Sequence, residues 1–208
     1  MQRIGLTGGI ASGKTVVAGR LAEHGAAVID HDGLAREAVR PGSAGLDAVV
    51  ESFGPGVLAA DGELDRAALG RLVFADTAAR ERLDALVHPV IRRLAAEREA
   101  AIAASGTGAV VVHDIPLLVE TGQAEAFHLL VVVQAPADLR VQRLVQTRGL
   151  TREEAERRVA AQASEGDRLA VADRVLDGSG SVEALREQVD ALWARIEEER
   201  LAEVDAGL

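Results

Sequence analysis

The chain has 208 residues, enough for one hydrophobic core with an appended subdomain. Hydrophobic residues make up 48% and charged residues 27%, which is a globular rather than a disordered composition. The formal net charge of −10 disfavours a general nucleic-acid or anionic-membrane binder, and the absence of cysteine excludes disulfides, thiol nucleophiles and thiolate metal sites. The N-terminus lacks the pattern of a signal peptide and no apolar run is long enough to cross a bilayer, so we expect a cytoplasmic protein.

The first predicted elements surround a glycine-rich loop. Residues 3–7 form a short run typical of a buried strand, and residues 16–23 are typical of a helix that ends at Gly25. Between them, residues 8–15 have the spacing of the phosphate-binding P-loop, which is Gly, four residues, then Gly-Lys-Thr. In such a loop, backbone N–H groups turn toward a polyphosphate and the helix start adds a partial positive charge.

The P-loop pattern predicts roles for individual residues. Lys14 is expected to reach the β- and γ-phosphates of a nucleotide, and the Thr15 hydroxyl to ligate Mg²⁺. Lys14 is the only lysine of the chain, and its compact ammonium suits a crowded phosphate site better than a guanidinium. The alternative is a glycine-rich turn beside an ordinary surface lysine. The predicted nucleotide-binding residues of the loop are Gly8, Gly9, Ala11, Ser12, Gly13, Lys14, Thr15 and Val16.

A second predicted strand, over residues 27–29, ends in two carboxylates, Asp30 and Asp32. Carboxylates at the carboxyl end of a strand lie where ligands bind in open α/β sheets. Asp32 fits equally well as the N-cap of a helix over residues 33–39, and both interpretations can hold together.

A helical region without a clear strand follows, from residue 40 to about residue 108. Asp65 and Thr77 are the expected N-caps of two of its helices, and Pro89 is expected to interrupt the helical pattern at His88. The region is too long for a simple crossover and predicts a substrate-holding insertion. Its segments of helical spacing are residues 45–53, 66–74, 78–87 and 90–104.

Three further apolar segments predict the remaining strands, at residues 109–113, 129–133 and 174–176. Asp114 follows the first of them, at the position where P-loop enzymes carry a second carboxylate on the metal side of the nucleotide site. It is equally suited to begin a turn. Pro136 is expected to open a helix over residues 137–147, and Thr151 to start a capping box for the next. Ser181 is the expected cap of a final helix that ends near residue 199, and we expect its acidic end, from Glu197 on, to fray.

Residues 138–174 are rich in arginine. Two arginine-rich helices joined at Gly149 indicate a mobile lid that brings cations onto phosphates. The alternative is a solvated helix pair with Arg–Glu pairs. We assign Arg143 and Arg148 to the lid function, and Arg152 and Arg157 to solvated pairs. The arginines of the segment are Arg140, Arg143, Arg148, Arg152, Arg157, Arg158, Arg168 and Arg174.

These elements together predict an α/β protein with a three-layer P-loop kinase fold, a five-stranded parallel sheet, a helical substrate-binding insertion and a helical lid. A GTPase is disfavoured because the chain lacks an Asn-Lys-x-Asp element, and a transport-type ATPase because it lacks Leu-Ser-Gly-Gly. The expected division is a nucleotide-binding core of residues 1–31, 109–136 and 171–208, an insertion of residues 32–108 and a lid of residues 137–170.

The ordered motifs resemble the dephospho-CoA kinase family over about residues 3–196. The matching pieces are residues 4–10 before Gly13 and Lys14, residues 28–32, residues 61–66, His88 with Pro89, residues 116–120, Arg143, Arg148, Gln162, and Ala172 with Asp173. Three positions depart from the family pattern. Val16 replaces a frequent hydroxyl residue, Val119 a common Phe, and Gly178 a frequent Asn.

The resemblance implies transfer of the ATP γ-phosphate to the ribose 3′-hydroxyl of dephospho-CoA, with ATP and Mg²⁺ as cofactors. Asp32, facing the P-loop from the neighbouring strand end, would accept the hydroxyl proton, while Lys14 and Arg143 would complete the catalytic set. Arg148 would bind the nucleotide. In the coenzyme domain, Arg66 and His88 suit a binding role and a packing role equally.

Other functions stay open at this point. The nearest is another small-molecule or nucleoside monophosphate kinase of the same fold, and a more distant one is a nucleotide-gated regulator without turnover. For partners, the resemblance implies dephospho-CoA as a small-molecule substrate, and we expect no nucleic acid, no membrane, and a monomer or weak homo-oligomer.

Overall fold

The computed structural model describes residues 1–105 and 110–205, with the side chains of all of these except residues 75 and 203–205. The strands in this part of the chain are β1 (Gln2–Gly8), β2 (Ala27–Asp30), β3 (Val110–Asp114), β4 (Leu129–Gln134) and β5 (Arg174–Asp177). The α-helices of the same ranges are α1 (Lys14–Glu23), α2 (His31–Ala38), α3 (Ala44–Phe53), α4 (Arg66–Ala75), α5 (Thr77–Ala104), α6 (Ala137–Arg148), α7 (Arg152–Ala160), α8 (Glu165–Ala170) and α9 (Val182–Asp205).

The strands form one sheet in the order β2-β3-β1-β4-β5. The five-stranded parallel sheet and the P-loop kinase fold predicted from the sequence are confirmed. Strand β1 lies at the centre, with Ile4 paired to Val112 of β3 and to Leu129 of β4. Such central strands are buried on both faces, which explains their continuous apolar sequences. The predicted first residue of β3, Ala109, lies outside the described residues.

The position of β2 corrects one expectation. The strand that ends beside the P-loop strand is β3, because β3 lies between β1 and β2. Asp32 therefore does not follow a strand adjacent to β1, and the carboxylate at the end of the adjacent strand is Asp114. A simple βαβ unit over residues 3–29 would place β2 directly beside β1. In the structure β3 lies between these two strands, and local sequence does not reveal this order.

The chain divides into two compact units. Unit 1 comprises Met1–Ile29 and the described residues after 105, and unit 2 comprises Asp30–Ser105. The core of unit 1 packs α1 and α9 against the sheet through buried residues such as Ile4, Val17 and Val189. Unit 2 has a separate core around Val49 and Leu69, and each unit therefore buries its own apolar residues.

Three helix boundaries in unit 2 differ from the prediction. The N-cap of α2 is Asp30, whose carboxylate accepts the Asp32 N–H, so the capping role expected for Asp32 is wrong. Asp76, rather than Thr77, caps α5. Helix α5 also continues through Pro89, because a proline removes a single backbone donor while buried residues on both sides keep the helix packed. By contrast, Asp65 caps α4 as predicted.

The later helices of unit 1 follow the prediction more closely. Helix α6 ends at Gly149, the Thr151 capping box opens α7, and Ser181 accepts the Ala184 N–H at the start of α9. Helix α9 extends to Asp205, so the helix end predicted near residue 199 is wrong. In the described ranges, no helix combines the length and apolarity that a membrane span needs.

Candidate active site

Strand β1 delivers the chain into the P-loop at the centre of the sheet, and α1 begins at the end of the loop. The Ser12 N–H donates to the Gly9 carbonyl over 3.0 Å, which closes the first turn of the loop. Gly13 is the N-cap of α1 with a φ of 107°, a left-handed conformation that favours glycine. Ala11 has a φ of 62°, the one positive value among the described non-glycine residues.

Four backbone N–H groups in the part of the loop from Ala11 onward have no acceptor among the described residues. They belong to Ala11, Gly13, Lys14 and Thr15. Two of them open α1, where the helix dipole adds partial positive charge. A polyphosphate would supply acceptors for such a set, so the geometry fits the anion site that the motif predicts.

Lys14 forms an ion pair with Asp114, and the two side chains are only 16% and 14% exposed. Asp114 is the last residue of β3 and pairs with Leu6 in the sheet register. The carboxylate therefore lies at the same end of the sheet as the P-loop. The Asp114 carboxylate is therefore the counter-charge of the Lys14 ammonium in this structure.

Thr15 at the start of α1 and Asp114 at the end of β3 both carry side-chain oxygen atoms of the kind that ligate metal ions. Thr15 is exposed in the first turn of α1, and its hydroxyl makes no hydrogen bond within the described chain. Mg²⁺ prefers such hard ligands and takes one or two protein oxygens together with substrate phosphates and water. The residues present therefore fit a magnesium ion.

Arg143 of α6 reaches the P-loop. Its Nη1 donates to the Ala11 carbonyl over 3.2 Å, and its Nη2 to the Gly178 carbonyl over 2.7 Å. A Cβ at Gly178 would overlap the Ser12 carbonyl, so the loop after β5 approaches the P-loop in a way that only glycine allows. The glycine at this departure from the family pattern thus has a packing reason.

The other lid arginines differ in their contacts. Arg148 is exposed at the end of α6 and makes no hydrogen bond or ion pair within the described residues. Arg152 pairs with Glu156 at 2.8 Å and Arg157 with Glu153 at 2.7 Å, which confirms the solvated pairs predicted for these two arginines. Exposed pairs of this kind contribute little to stability.

Three predicted site residues lie in unit 2. Asp32 is exposed in the first turn of α2, and its carboxylate has no hydrogen bond within the described part of the chain. Arg66 is exposed at the start of α4. His88 lies on α5 with its Nε2 3.7 Å from the Asp84 carboxylate.

The structure also adds a residue to the site that the sequence left without a role. The side-chain carbonyl of Gln162 accepts the Ile10 N–H of the P-loop over 2.8 Å. The two residues are far apart in the chain, so no local pattern predicts the contact. In the sequence, Gln162 is marked only as one of the residues that match the family pattern.

Comparison with known proteins identifies the family of the chain and agrees with its fold. A family model described as "Dephospho-CoA kinase" matches residues 2–184. A dephospho-CoA kinase of Leifsonia xyli subsp. xyli is 50% identical over 194 residues, which cover 93% of this chain and 98% of that protein.

Solved structures agree. A crystal structure from Thermus thermophilus is 37% identical with a TM-score of 0.81, covering 93% of this chain and 97% of that one. A dephospho-CoA kinase from Campylobacter jejuni shares the fold, with 24% identity, a TM-score of 0.71 and coverage of 96% and 100%. The chain belongs to the dephospho-CoA kinase family.

Proposed function

We propose that the chain transfers the γ-phosphate of ATP to the ribose 3′-hydroxyl of dephospho-CoA, giving coenzyme A and ADP in the last step of CoA biosynthesis. The observation that carries the proposal is a P-loop in a member of this family whose N–H groups at Ala11, Gly13, Lys14 and Thr15 have no acceptor among the described residues. Phosphoryl transfer asks a protein mainly for positioning and for neutralisation of charge, and this loop is suited to both.

On the donor side, the backbone N–H groups of the P-loop bind the phosphates, and Lys14 leaves Asp114 to reach the β- and γ-oxygens. Thr15, with Asp114 nearby, would hold Mg²⁺, which supplies charge neutralisation on the phosphate oxygens. Arg143 already lies against the loop, and its guanidinium adds positive charge to that of Lys14 and Mg²⁺. The remaining loop residues and Arg148 complete the proposed nucleotide contacts.

On the acceptor side, we assign Asp32 as the general base for the 3′-hydroxyl. Its carboxylate is exposed and has no hydrogen bond to a described residue, because Asp30 caps the helix instead. Such a group can accept a proton or orient the hydroxyl. Arg66 and His88 are assigned to coenzyme binding within unit 2.

The proposal includes a division of labour along the chain. Residues 1–31, 109–136 and 171–208 bind the nucleotide, residues 32–108 bind the coenzyme, and residues 137–170 act as the lid. The helices of the last segment belong to unit 1, and helix α6 supplies Arg143. Arginines on a helix that moves would bring charge onto the phosphates only when the nucleotide is present.

The direct test is ADP release from ATP with dephospho-CoA as acceptor, compared with AMP, CMP and shikimate. We expect stimulation by dephospho-CoA and a product that carries the new phosphate on the 3′-oxygen of the ribose. Stimulation by one of the other acceptors alone would overturn the proposed substrate, while ATP binding without stimulation by any acceptor would favour a regulator.

A further inference from the structure

Three successive residues of the P-loop are contacted by side chains from the segment between β4 and β5. The guanidinium of Arg140 lies against Gly9, the carboxamide of Gln162 accepts from Ile10, and Arg143 donates to Ala11. These contacts act on the first half of the loop. The N–H groups of Gly13, Lys14 and Thr15, which have no acceptor among the described residues, lie after these contacts.

The Gln162 side chain is held by a connection that is itself fixed on both sides. The next residue, Ala163, donates its N–H to the Glu120 carboxylate over 2.8 Å and accepts from Arg168 over 2.6 Å. Ser164 then caps α8 through a capping box. Because these hydrogen bonds hold the backbone next to Gln162, its side chain loses little conformational freedom in the contact with Ile10.

Arg140 is buried at 4% exposure and supports the same carboxamide. Its Nε donates to the Ala135 carbonyl over 3.1 Å, and its Nη1 lies 3.4 Å from Gln162 Oε1. A Cβ at Gly9 would overlap this guanidinium, which explains the glycine there. Arg140 therefore fills the space behind the loop and orients the acceptor that Ile10 uses.

The charge of this cluster is also unusual. Arg140 and Arg168 are both buried, and neither forms an ion pair with a described carboxylate. Burial lowers the pKa of Arg140, the nearby charge of Arg168 lowers it further, and the Glu165 carboxylate acts in the opposite direction. Two buried guanidiniums behind a phosphate-binding loop add positive potential on that side of the loop, which favours a bound anion.

The loop needs such support because Ala11 is strained. Its φ of 62° is unfavourable for a residue with a Cβ, by roughly 1 kcal/mol or more. Gln162 fixes the residue before it, and Arg143 holds its carbonyl. Because the Ile10 N–H and the Ala11 carbonyl are both held by hydrogen bonds, the backbone on each side of the strained Ala11 φ is fixed. The N–H groups that follow are therefore held in one conformation.

We propose that Gln162 and Arg140, here called the brace, are positioning residues that hold the first half of the P-loop in the conformation that binds ATP. Neither is required to touch the transferred phosphate. The brace acts through Ile10 and Ala11, and its loss weakens ATP binding while leaving the acceptor side unaffected. Only the activity readout of this inference rests on the proposed function.

The test compares Gln162→Leu, which removes the acceptor at similar size, with Gln162→Glu, which keeps it. The control is Gln146→Leu, an exposed glutamine of α6 without a hydrogen bond to a described residue. In Gln162→Leu we expect faster hydrogen exchange of the Ile10 amide and about tenfold weaker ATP binding by calorimetry. Gln162→Glu keeps the amide protected, and Gln146→Leu behaves as the parent.

In the kinetic readout, Gln162→Leu raises the KM for ATP by a similar factor, with no change in the KM for dephospho-CoA. Unchanged Ile10 exchange or unchanged ATP affinity in Gln162→Leu would overturn the brace, as would loss of Ile10 protection in Gln162→Glu. If Gln162→Leu does not fold, Gln162→Ala is measured in the same way. A parent protein that binds ATP but does not phosphorylate dephospho-CoA would refute the proposed function and leave the exchange and affinity tests valid.

Discussion

Lys14 and Asp114 form an ion pair between the P-loop and the end of the adjacent strand β3. The same lysine is proposed to bind the phosphates, so nucleotide and carboxylate compete for one ammonium. Asp114→Asn removes this competitor and a negative charge from the phosphate site. We expect tighter binding of metal-free ATP, measured by calorimetry in the presence of a chelator.

The same variant tests the metal role of Asp114. If its carboxylate helps to hold Mg²⁺, the transfer rate of Asp114→Asn at limiting Mg²⁺ falls by about tenfold or more, and added Mg²⁺ restores part of it. A Mg²⁺ dependence identical to that of the parent would leave Asp114 only the role of counter-charge for Lys14.

Lys14→Ala is expected to weaken both ATP binding and the transfer rate, the latter by on the order of a hundredfold, because a charge aimed at the transferred phosphate is lost. Binding is measured by calorimetry and transfer by ADP release. Parental affinity and rate in this variant would contradict the assignment of residues 8–15 as the phosphate site.

Asp32→Asn is expected to bind ATP as the parent does and to lose transfer by roughly 10²- to 10⁴-fold, as expected for a missing general base. The matched control is Asp30→Asn, which retains a capping side chain at the start of α2 and should keep both stability and transfer. Normal turnover by Asp32→Asn would rule out its role as the base.

Gly178→Ala places a Cβ against the Ser12 carbonyl and is expected to destabilise the fold by about 1–3 kcal/mol and to raise the KM for ATP. Gly180→Ala, two residues away, would place its Cβ 3.7 Å from the Ala184 Cβ, an ordinary contact, and serves as the control. Equal melting temperatures and KM values for the two variants would show that the close approach is unimportant.

Asp190 joins α9 to α1 through Arg20 at 2.6 Å and His24 at 2.6 Å. The Arg20 guanidinium, followed by His24, lowers the pKa of Asp190 well below its usual range. A carboxylate with a lowered pKa stabilises the fold above its unfolded pKa, and this contribution is lost as the pH falls below about 4 toward the folded value.

Asp190→Asn should therefore melt at a lower temperature than the parent at pH 7, and the difference should shrink as the pH drops below about 4. Glu187→Gln is the control, since Glu187 is exposed on the same helix without a described partner. A difference in melting temperature that persists unchanged at low pH would show that packing, rather than charge, is responsible.

Much of the fold follows from the sequence for identifiable physical reasons. The strands around Ile4, Val112 and Val131 are buried on both faces, so their apolar runs are continuous and easily recognised. The P-loop spacing places Lys14 and Thr15 at the start of a helix, as the structure does. In each case, a local pattern encodes a local structure.

The contacts that complete the site are of another kind. Strand order, which places Asp114 rather than Asp32 beside the P-loop strand, depends on which strands pair across the sheet. Gln162 reaches Ile10 over 152 positions of sequence, and Asp30 takes the cap because helix α2 begins two residues earlier than its pattern suggests. Non-local packing decides the first two, and no short window of sequence contains it, whereas the cap is a local choice between two aspartates that both suit an N-cap.

The division into units has an implication for how acceptor choice can change. Unit 2 is a single uninterrupted stretch, Asp30–Ser105, whereas unit 1 is completed from both sides of it. Because each unit has its own hydrophobic core, exchange of this one cassette leaves the P-loop, its brace and the sheet in the parental sequence. Under the proposed division of labour, replacement of this one segment would change the phosphate acceptor while the residues proposed to bind ATP stay the same.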